Sequence, residues 1–288
     1  MSLTPHSNFQ PLTGLAAWFD TVIEMSRKEL IIMVRYPVEF VASFGQVFII
    51  VTVLTLAGLM FSEGGLQNAG NSSQTSGVVV YGFILFMFVS DTLWTIGYNV
   101  RREQKQGTLE QLYLSPASKF ASLVSRVTVT LVWTGLLATL SSILMGAMIG
   151  SLPFHNLPLA AFILIMALSG TFGFGFAFAA ITLRIKEAGQ TLANLIQFGF
   201  MVLCAPFFPF VALPGWLQMV ARFIPFAHAV DAFRSTLMGY PPGFPELAPI
   251  EVELVVVTLF GLLMPVMGYG LYRYEEDRAR RSGSLSEY

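Results

Sequence analysis

The sequence predicts an all-α polytopic membrane protein, with six transmembrane helices, an N-terminal amphipathic interface helix and a re-entrant outer segment between spans five and six. Three observations lead there. Charged residues make up 11% of the 288 positions and hydrophobic ones 55%, with a mean hydropathy of +0.67, whereas soluble domains carry about 25% charge. Apolar stretches long enough to cross ~30 Å of hydrocarbon, about 20 helical residues each, recur along the chain. The basic residues collect on one side of those stretches, the asymmetry that orients membrane proteins.

Taken in order, the stretches are Val38–Phe61, Val78–Tyr98, Phe120–Ile149, Leu159–Leu183, Thr191–Leu213 and Ile250–Tyr272. Pro37 turns the chain into the first. The third is longer than a perpendicular crossing needs, so it is expected to tilt or to begin in the interface. The fifth carries Pro206 and Pro209, and its outer end is expected to be broken. The sixth is expected to hold Glu251 and Glu253 at the outer interface, because carboxylates are costly in hydrocarbon. The 25 Gly and 26 Phe residues suit helices that pack closely in lipid.

Orientation follows from Lys and Arg. Arg27, Lys28 and Arg35 precede span one, and Arg101, Arg102, Lys105, Lys119 and Arg126 lie between or just inside spans two and three. Arg184 and Lys186 separate spans four and five; Arg273, Arg278, Arg280 and Arg281 follow span six. Of the 16 basic residues, only Arg222 and Arg234 remain for the other side. Positive residues mark the cytoplasm, so both termini are expected inside and the number of spans is even. Six fits and five does not. The first 36 residues lack the basic start, apolar core and cleavage site of a secretory signal, so the mature chain is expected to begin near Met1. Cys204, the single cysteine, lies in an apolar run; an inert buried thiol is expected there, and an intrachain disulfide is impossible.

The connecting segments differ in kind. Residues 15–36 are amphipathic: at 100° per residue, Leu15, Trp18, Phe19, Val22 and Met25 share a face, while Asp20, Glu24, Arg27 and Lys28 point away. Glu29 breaks the pattern. Such a helix lies along the membrane surface, as a simple anchor or as a receiver for a partner protein. In residues 101–119, Gly107 can break one helix and Thr108 can N-cap another, placing Leu109, Leu112 and Tyr113 on one face before Pro116 closes the turn. From the residues alone, this is either a solvated loop or a lever for a cytoplasmic motor. Residues 206–249 are apolar and rich in Pro, which suits short re-entrant or interfacial helices. Residues 273–288 form a charged cytoplasmic tail.

Together these segments resemble a known family. Gly107-Thr108-Leu109-Glu110, followed by Leu112 and Ser115-Pro116, resembles the coupling-loop pattern of ABC-2 type transporter permeases. Arg27-Lys28-Glu29-Leu30 and Arg35-Tyr36-Pro37 are similar to that family's interface helix. Phe208-Pro209-Phe210, Leu213-Pro214-Gly215-Trp216-Leu217, Ile224-Pro225-Phe226 and Asp231-Ala232-Phe233-Arg234 are similar to its re-entrant outer segment. The resemblance covers nearly the whole chain and is greatest toward drug and nodulation-factor exporters. It implies one transmembrane domain over residues 1–288, in the cell (inner) membrane of a bacterium or archaeon. It implies a dimer with a second permease, the same or a related chain, and two cytoplasmic ATPase subunits docked on the interface helix and coupling loop. It implies no cofactor in this chain, with ATP and Mg in the partner ATPase, contact with membrane lipids and no nucleic-acid partner. The implied substrate is amphipathic (a drug, lipid or glycolipid) and is moved by alternating access. On the same footing, Arg27, Lys28, Glu103, Gly107, Thr108, Leu109, Glu110, Leu112 and Pro116 are candidate ATPase-coupling residues. Asp231 and Arg234, three apart, suit an i,i+3 pair on an outer helix; with Pro209 and Pro214 they are also candidates for an outer gate.

Polar residues inside spans are candidates for the translocation path: Gln46, Asp91, Asn194 and Gln197. Asp91 lies ten residues before Arg101, roughly 15 Å of helix, and inserting a carboxylate there costs about 2.5–3.5 kcal/mol. It admits a structural pair with Arg126, a place in the path, or a position at an interface. For the amides, hydrogen bonding between helices is the competing reading. Ser169, Gly170, Gly173 and Gly175 give span four a small-residue strip suited to packing.

Three function classes compete. The chain contains no G-x-x-x-x-G-K-[ST] phosphate loop, so in an ATP-driven exporter another polypeptide must hydrolyse ATP. An ion-coupled secondary transporter would depend on Asp91 alone, without the inverted repeats such folds carry. An intramembrane protease would depend on Glu275-Glu276-Asp277-Arg278-Ala279-Arg280, which stands in the tail with no later helix to supply histidines. His6, His155 and His228 are scattered, so neither a catalytic nor a metal site is expected. The sequence favours the permease, itself no enzyme, with the Asp91-dependent secondary transporter as the alternative.

Overall fold

The computed structural model describes residues 22–24, 26–28, 30–31, 35, 37–61, 72–105, 119–149, 152–184 and 189–282. Among the described residues every element is helical. Helices α1 (Pro37–Phe61), α2 (Ser72–Lys105), α3 (Lys119–Ile149), α4 (Leu157–Arg184) and α5 (Gly189–Leu203) follow the first five apolar stretches. A 3-10 turn (Phe210–Ala212) and two short helices, α6 (Gly215–Ala221) and α7 (Pro225–Met238), then precede the long α8 (Ile250–Ser282). The windows Val127–Leu144, Leu157–Ile181 and Ile250–Glu275 are long and apolar enough to cross a membrane. Val41–Val53, Gly77–Leu93 and Thr191–Leu203 are shorter apolar stretches, in α1, α2 and α5. Helices α1 and α4 are apolar all round rather than along one stripe, as lipid on one side and protein on the other demand.

Helix α2 is the hub. It packs against α1, α3, α4, α5 and α7, and its residues from Gly77 to Leu93 are buried almost without interruption. One glycine makes this closeness possible: a Cβ on Gly82 would overlap the Pro206 carbonyl, so the chain leaving α5 lies directly on α2. The Tyr81 hydroxyl donates to the Pro153 carbonyl, and the His155 N–H donates to the Leu237 carbonyl at 2.9 Å. The connection between α3 and α4 is thereby joined to both α2 and α7.

Helices α4 and α8 approach more closely still. A Cβ on Gly173 would overlap the backbone of Met264 and Pro265, and one on Gly268 would overlap the Gly173 carbonyl. Pro265 lacks an N–H, and the small surface of Gly173 accommodates its ring. The Ser169 hydroxyl donates to the Gly261 carbonyl at 2.7 Å. The small-residue strip expected on span four is this interface. Toward the other end, Phe176 stacks edge-on against Phe172 and Tyr272 at centroid distances of 4.6 and 5.9 Å.

Two helix ends and one carboxylate differ from the sequence expectation. Helix α5 ends at Leu203, before the expected Leu213. The Cys204 N–H still bonds to Phe200, but Ala205 adopts φ of +43° and Pro206 follows, so the ladder cannot continue. Helix α8 continues through the charged tail to Ser282, because loss of hydropathy marks the membrane edge and not the end of a helix. Glu251 is exposed as expected, whereas Glu253 is completely buried. Two residues of helix, about 200° of rotation, put them on opposite faces, and protein covers only the second.

Candidate functional site

The outer segment is built around α7. Ile224 is extended, and Pro225 supplies the fixed φ of a first helical residue. At the other end Gly239 takes φ of +77°, with its N–H directed to Thr236 at 3.4 Å and the Tyr240 N–H bonded to Ser235 at 3.0 Å. This paired return satisfies the last carbonyls as a glycine-terminated helix does. Every side chain from Phe226 to Met238 is buried, so the charged pair Asp231 and Arg234 cannot face water.

Arg234 is the centre of a buried polar cluster. Its Nε donates to Asp231 Oδ1 at 3.2 Å, and its Nη2 lies 3.2 Å from Asp231 Oδ1 and 3.4 Å from Glu246 Oε2. Nη1 donates to the carbonyls of Phe208 and Ala205, at 3.2 and 3.4 Å. The guanidinium also sits 4.7 Å from the Phe210 ring centre and 5.3 Å from that of Phe244, where the ring faces attract a cation. Asp231 uses its second oxygen to accept the N–H groups of Glu246 and Leu247, both at 2.7 Å. Glu246 in turn accepts the Val211 N–H at 3.1 Å. Burial pushes the Glu246 carboxyl above its usual range, and the Arg234 charge opposes that shift. Arg234 therefore joins α7, the strand of chain leaving α5 and the loop before α8 into one body.

A second pair extends the cluster to α8. His228 Nε2 lies 2.9 Å from the Arg222 carbonyl; since a carbonyl only accepts, that nitrogen carries the hydrogen. His228 Nδ1 then faces Glu253 Oε1 at 3.6 Å, an ion-pair separation too long for a hydrogen bond. Among the described residues, neither Glu253 oxygen nor His228 Nδ1 has a hydrogen-bond partner. Two acceptors facing each other in a buried site attract only when a proton sits on one of them.

The other candidates separate. Asp91 accepts a hydrogen bond from the Thr134 hydroxyl of α3. Arg126, whose side chain lies outside the described residues, stands eight residues earlier on α3, about 12 Å along the helix. Asn194 and Gln197 are half-buried on α5, and Gln46 is exposed on α1. Pro209 and Pro214 are exposed, immediately before the 3-10 turn and α6. Arg27 and Lys28 are exposed; Arg27 lies 4.0 Å from Glu24, a solvated pair of small energetic consequence. Glu103 belongs to α2, but its side chain, and Gly107, Thr108, Leu109, Glu110, Leu112 and Pro116 altogether, lie outside the described residues.

Sequence reasoning found Asp231 and Arg234 through their spacing of three and missed Glu246, His228 and Glu253. A carboxylate just inside an apolar helix was the available signal for Glu253. Glu246 had none, because its partner Arg234 is distant in sequence and the chain between them has no regular period.

The family model for ABC-2 family transporter proteins matches residues 63–269. The match runs from the connector before α2 into α8 and takes in residues 101–119 and the whole Arg234 cluster. No curated relative matches the chain at a significant level.

Proposed function

The chain belongs to the ABC-2 family of transporter membrane proteins, and from that premise we propose that it is the permease subunit of an ATP-driven exporter of amphipathic molecules. The observation that carries this reading is the family match over residues 63–269. In the proposed arrangement α1 to α5 and α8 are the six spans, and both termini face the cytoplasm of a bacterial or archaeal cell. Two copies, or this chain and a related one, enclose the path. Two ATPase subunits dock on residues 15–36 and on the segment 101–119, where Glu103, Gly107, Thr108, Leu109, Glu110, Leu112 and Pro116 transmit their closure. ATP and Mg belong to those subunits. Asp91, Gln46, Asn194 and Gln197 line the path, and the rigid outer segment, with Pro209 and Pro214 at its exposed turns, acts as the gate.

The direct test is co-purification of the tagged full chain in mild detergent with the products of its neighbouring genes, followed by assay of ATPase activity. A stoichiometric ATPase partner is expected, lost when Glu110 is replaced by Lys or Leu112 by Asp. Purification of a stable chain without any ATPase partner would overturn the exporter reading and move ion-coupled transport through Asp91 ahead of it.

A further inference from the structure

Between α4, α5, the start of α7 and α8 the helices leave a cavity of about 530 Å³, within the range of ligand pockets. Phe174 of α4, Phe200 of α5 and Phe226 of α7 form its back wall, their rings 5.5 and 5.8 Å apart in succession. Residues 223–226 roof it, and one stripe of α8 from Val256 to Met267, at spacings of three and four, forms its side. Leu259, Leu263 and Met267, on the edge of that stripe, are at least half exposed, so the cavity opens sideways. The hydroxyl of Thr171 is committed to its own helix at the Ala167 carbonyl, 2.7 Å away. No other lining side chain carries a polar atom suited to hydrogen bonding, so a polar occupant would lose its bonds to water without replacement.

Length and depth identify the occupant further. Val256 to Met267 is about 16 Å of helix, close to half of the ~30 Å hydrocarbon core. Counted from Ile250 at the outer end of the span, the stripe begins about 9 Å down and crosses the midplane, so an extended acyl chain with its headgroup at the outer interface runs along most of it. Phe223, which lines the cavity, and Trp216, Met219 and Val220 of α6 just before it recur at spacings of three and four and are 82, 69, 67 and 41% exposed; aromatic rings of this kind sit at headgroup level. Arg222 stands beside them, exposed, with its carbonyl held by His228. The other outer cation, Arg234, is already engaged by Asp231 and Glu246.

From these observations we infer that the cavity between α5 and α8 binds an acyl chain of an outer-leaflet anionic phospholipid, with its phosphate at Arg222. The inference rests on the proposed orientation, with residues 206–249 on the outer side, and not on any ATPase partner, so it is tested on the full chain alone. The protein is placed in nanodiscs containing phosphatidylglycerol with a mid-chain diazirine, irradiated, and mapped by peptide mass spectrometry. Labelling is expected to concentrate on residues 223–226 and 256–267, above that on Leu136 and Ile143, which are lipid-exposed positions of α3 outside the cavity. Leu259→Trp, at an edge where folding tolerates bulk, lowers cavity labelling while labelling of α3 stays constant. Unlabelled phosphatidylglycerol is expected to compete about fivefold better than phosphatidylcholine, the worth of one basic residue beside an anionic lipid. Arg222→Gln removes that preference. Equal labelling of the cavity and of Leu136 and Ile143, insensitive to Leu259→Trp, would overturn the site; labelling indifferent to headgroup charge would overturn the assignment of an anionic lipid.

Discussion

The molecule holds α8 in two different ways. At its outer end the helix meets a charged cluster, in which Glu253 faces His228 beside the Asp231, Arg234 and Glu246 group. Along its middle it meets α4 through glycine, with backbone against backbone at Gly173 and Gly268. The difference follows from what surrounds each region. In lipid no hydrophobic force drives helices together, and close contact of small residues is the main source of adhesion. Charges are tolerated where protein, not lipid, encloses them and where each finds a partner. The outer segment supplies that enclosure, because α7 and its flanking turns bury Arg234 entirely.

One mode is broken by removing a side chain and the other by adding one, and the largest response is expected in the cluster. Arg234→Ala leaves Asp231 and Glu246 buried without their cation, a loss of roughly 3–5 kcal/mol. The expected result is a collapse in monodisperse protein on size exclusion and a strongly lowered thermal midpoint. Arg234→Lys does not rescue it, since an ammonium cannot serve two carboxylates and the carbonyls of Ala205 and Phe208 together. A lysine variant as stable as the parent would show that charge alone, without the forked geometry, holds the segment.

In the α4–α8 interface the corresponding change is an addition. Gly173→Ala places a methyl into the backbone of Met264 and Pro265, and overpacking of this kind costs about 1–3 kcal/mol. Gly199→Ala on α5 is the control, because nothing lies within 4 Å of its added methyl; there the better helix former is neutral or stabilising. Thermal midpoints of the two variants in the same detergent decide the matter. Equal midpoints would mean that α4 and α8 can separate without consequence, contrary to the close packing.

These regions were unequally legible in the sequence. The strip Ser169, Gly170 and Gly173 announced a packing surface because small residues repeat on one helix face, and α8 was evident from its hydropathy. Its partner face was not, since Gly261 and Gly268 stand among large apolar residues and only the crossing of the helices selects them. In the outer segment the sequence carries Asp231 and Arg234 as a local pair, together with the prolines that break α5. Glu246 and His228 act through tertiary contacts, with no periodicity to connect them. Asp91 was legible as an isolated carboxylate, but its hydroxyl partner Thr134 is one of many threonines in an apolar helix. The family resemblance rested on motif order, and the match over residues 63–269 agrees with it.

The smallest expected effect separates the regions most cleanly, because it uses pH. Burial raises the Glu246 carboxyl above the usual carboxylate range even against the Arg234 charge. The unfolded chain titrates near the ordinary value, about 4.3, so folding favours the protonated form. Its contribution is fully present below that value and declines as pH rises toward the folded-state value. Hydrogen exchange in α7 is therefore expected to quicken over that interval in the parent protein. In Glu246→Gln, which keeps the side-chain shape and cannot titrate, the dependence should be weaker. The α4–α8 contact contributes no such term, since Ser169, Gly173, Gly261 and Gly268 do not ionise. Exchange at its amides should give the same profile in parent and variant. A difference appearing equally at both places would mean that the outer end and the middle of α8 open as one unit, and that the outer cluster is no separate device.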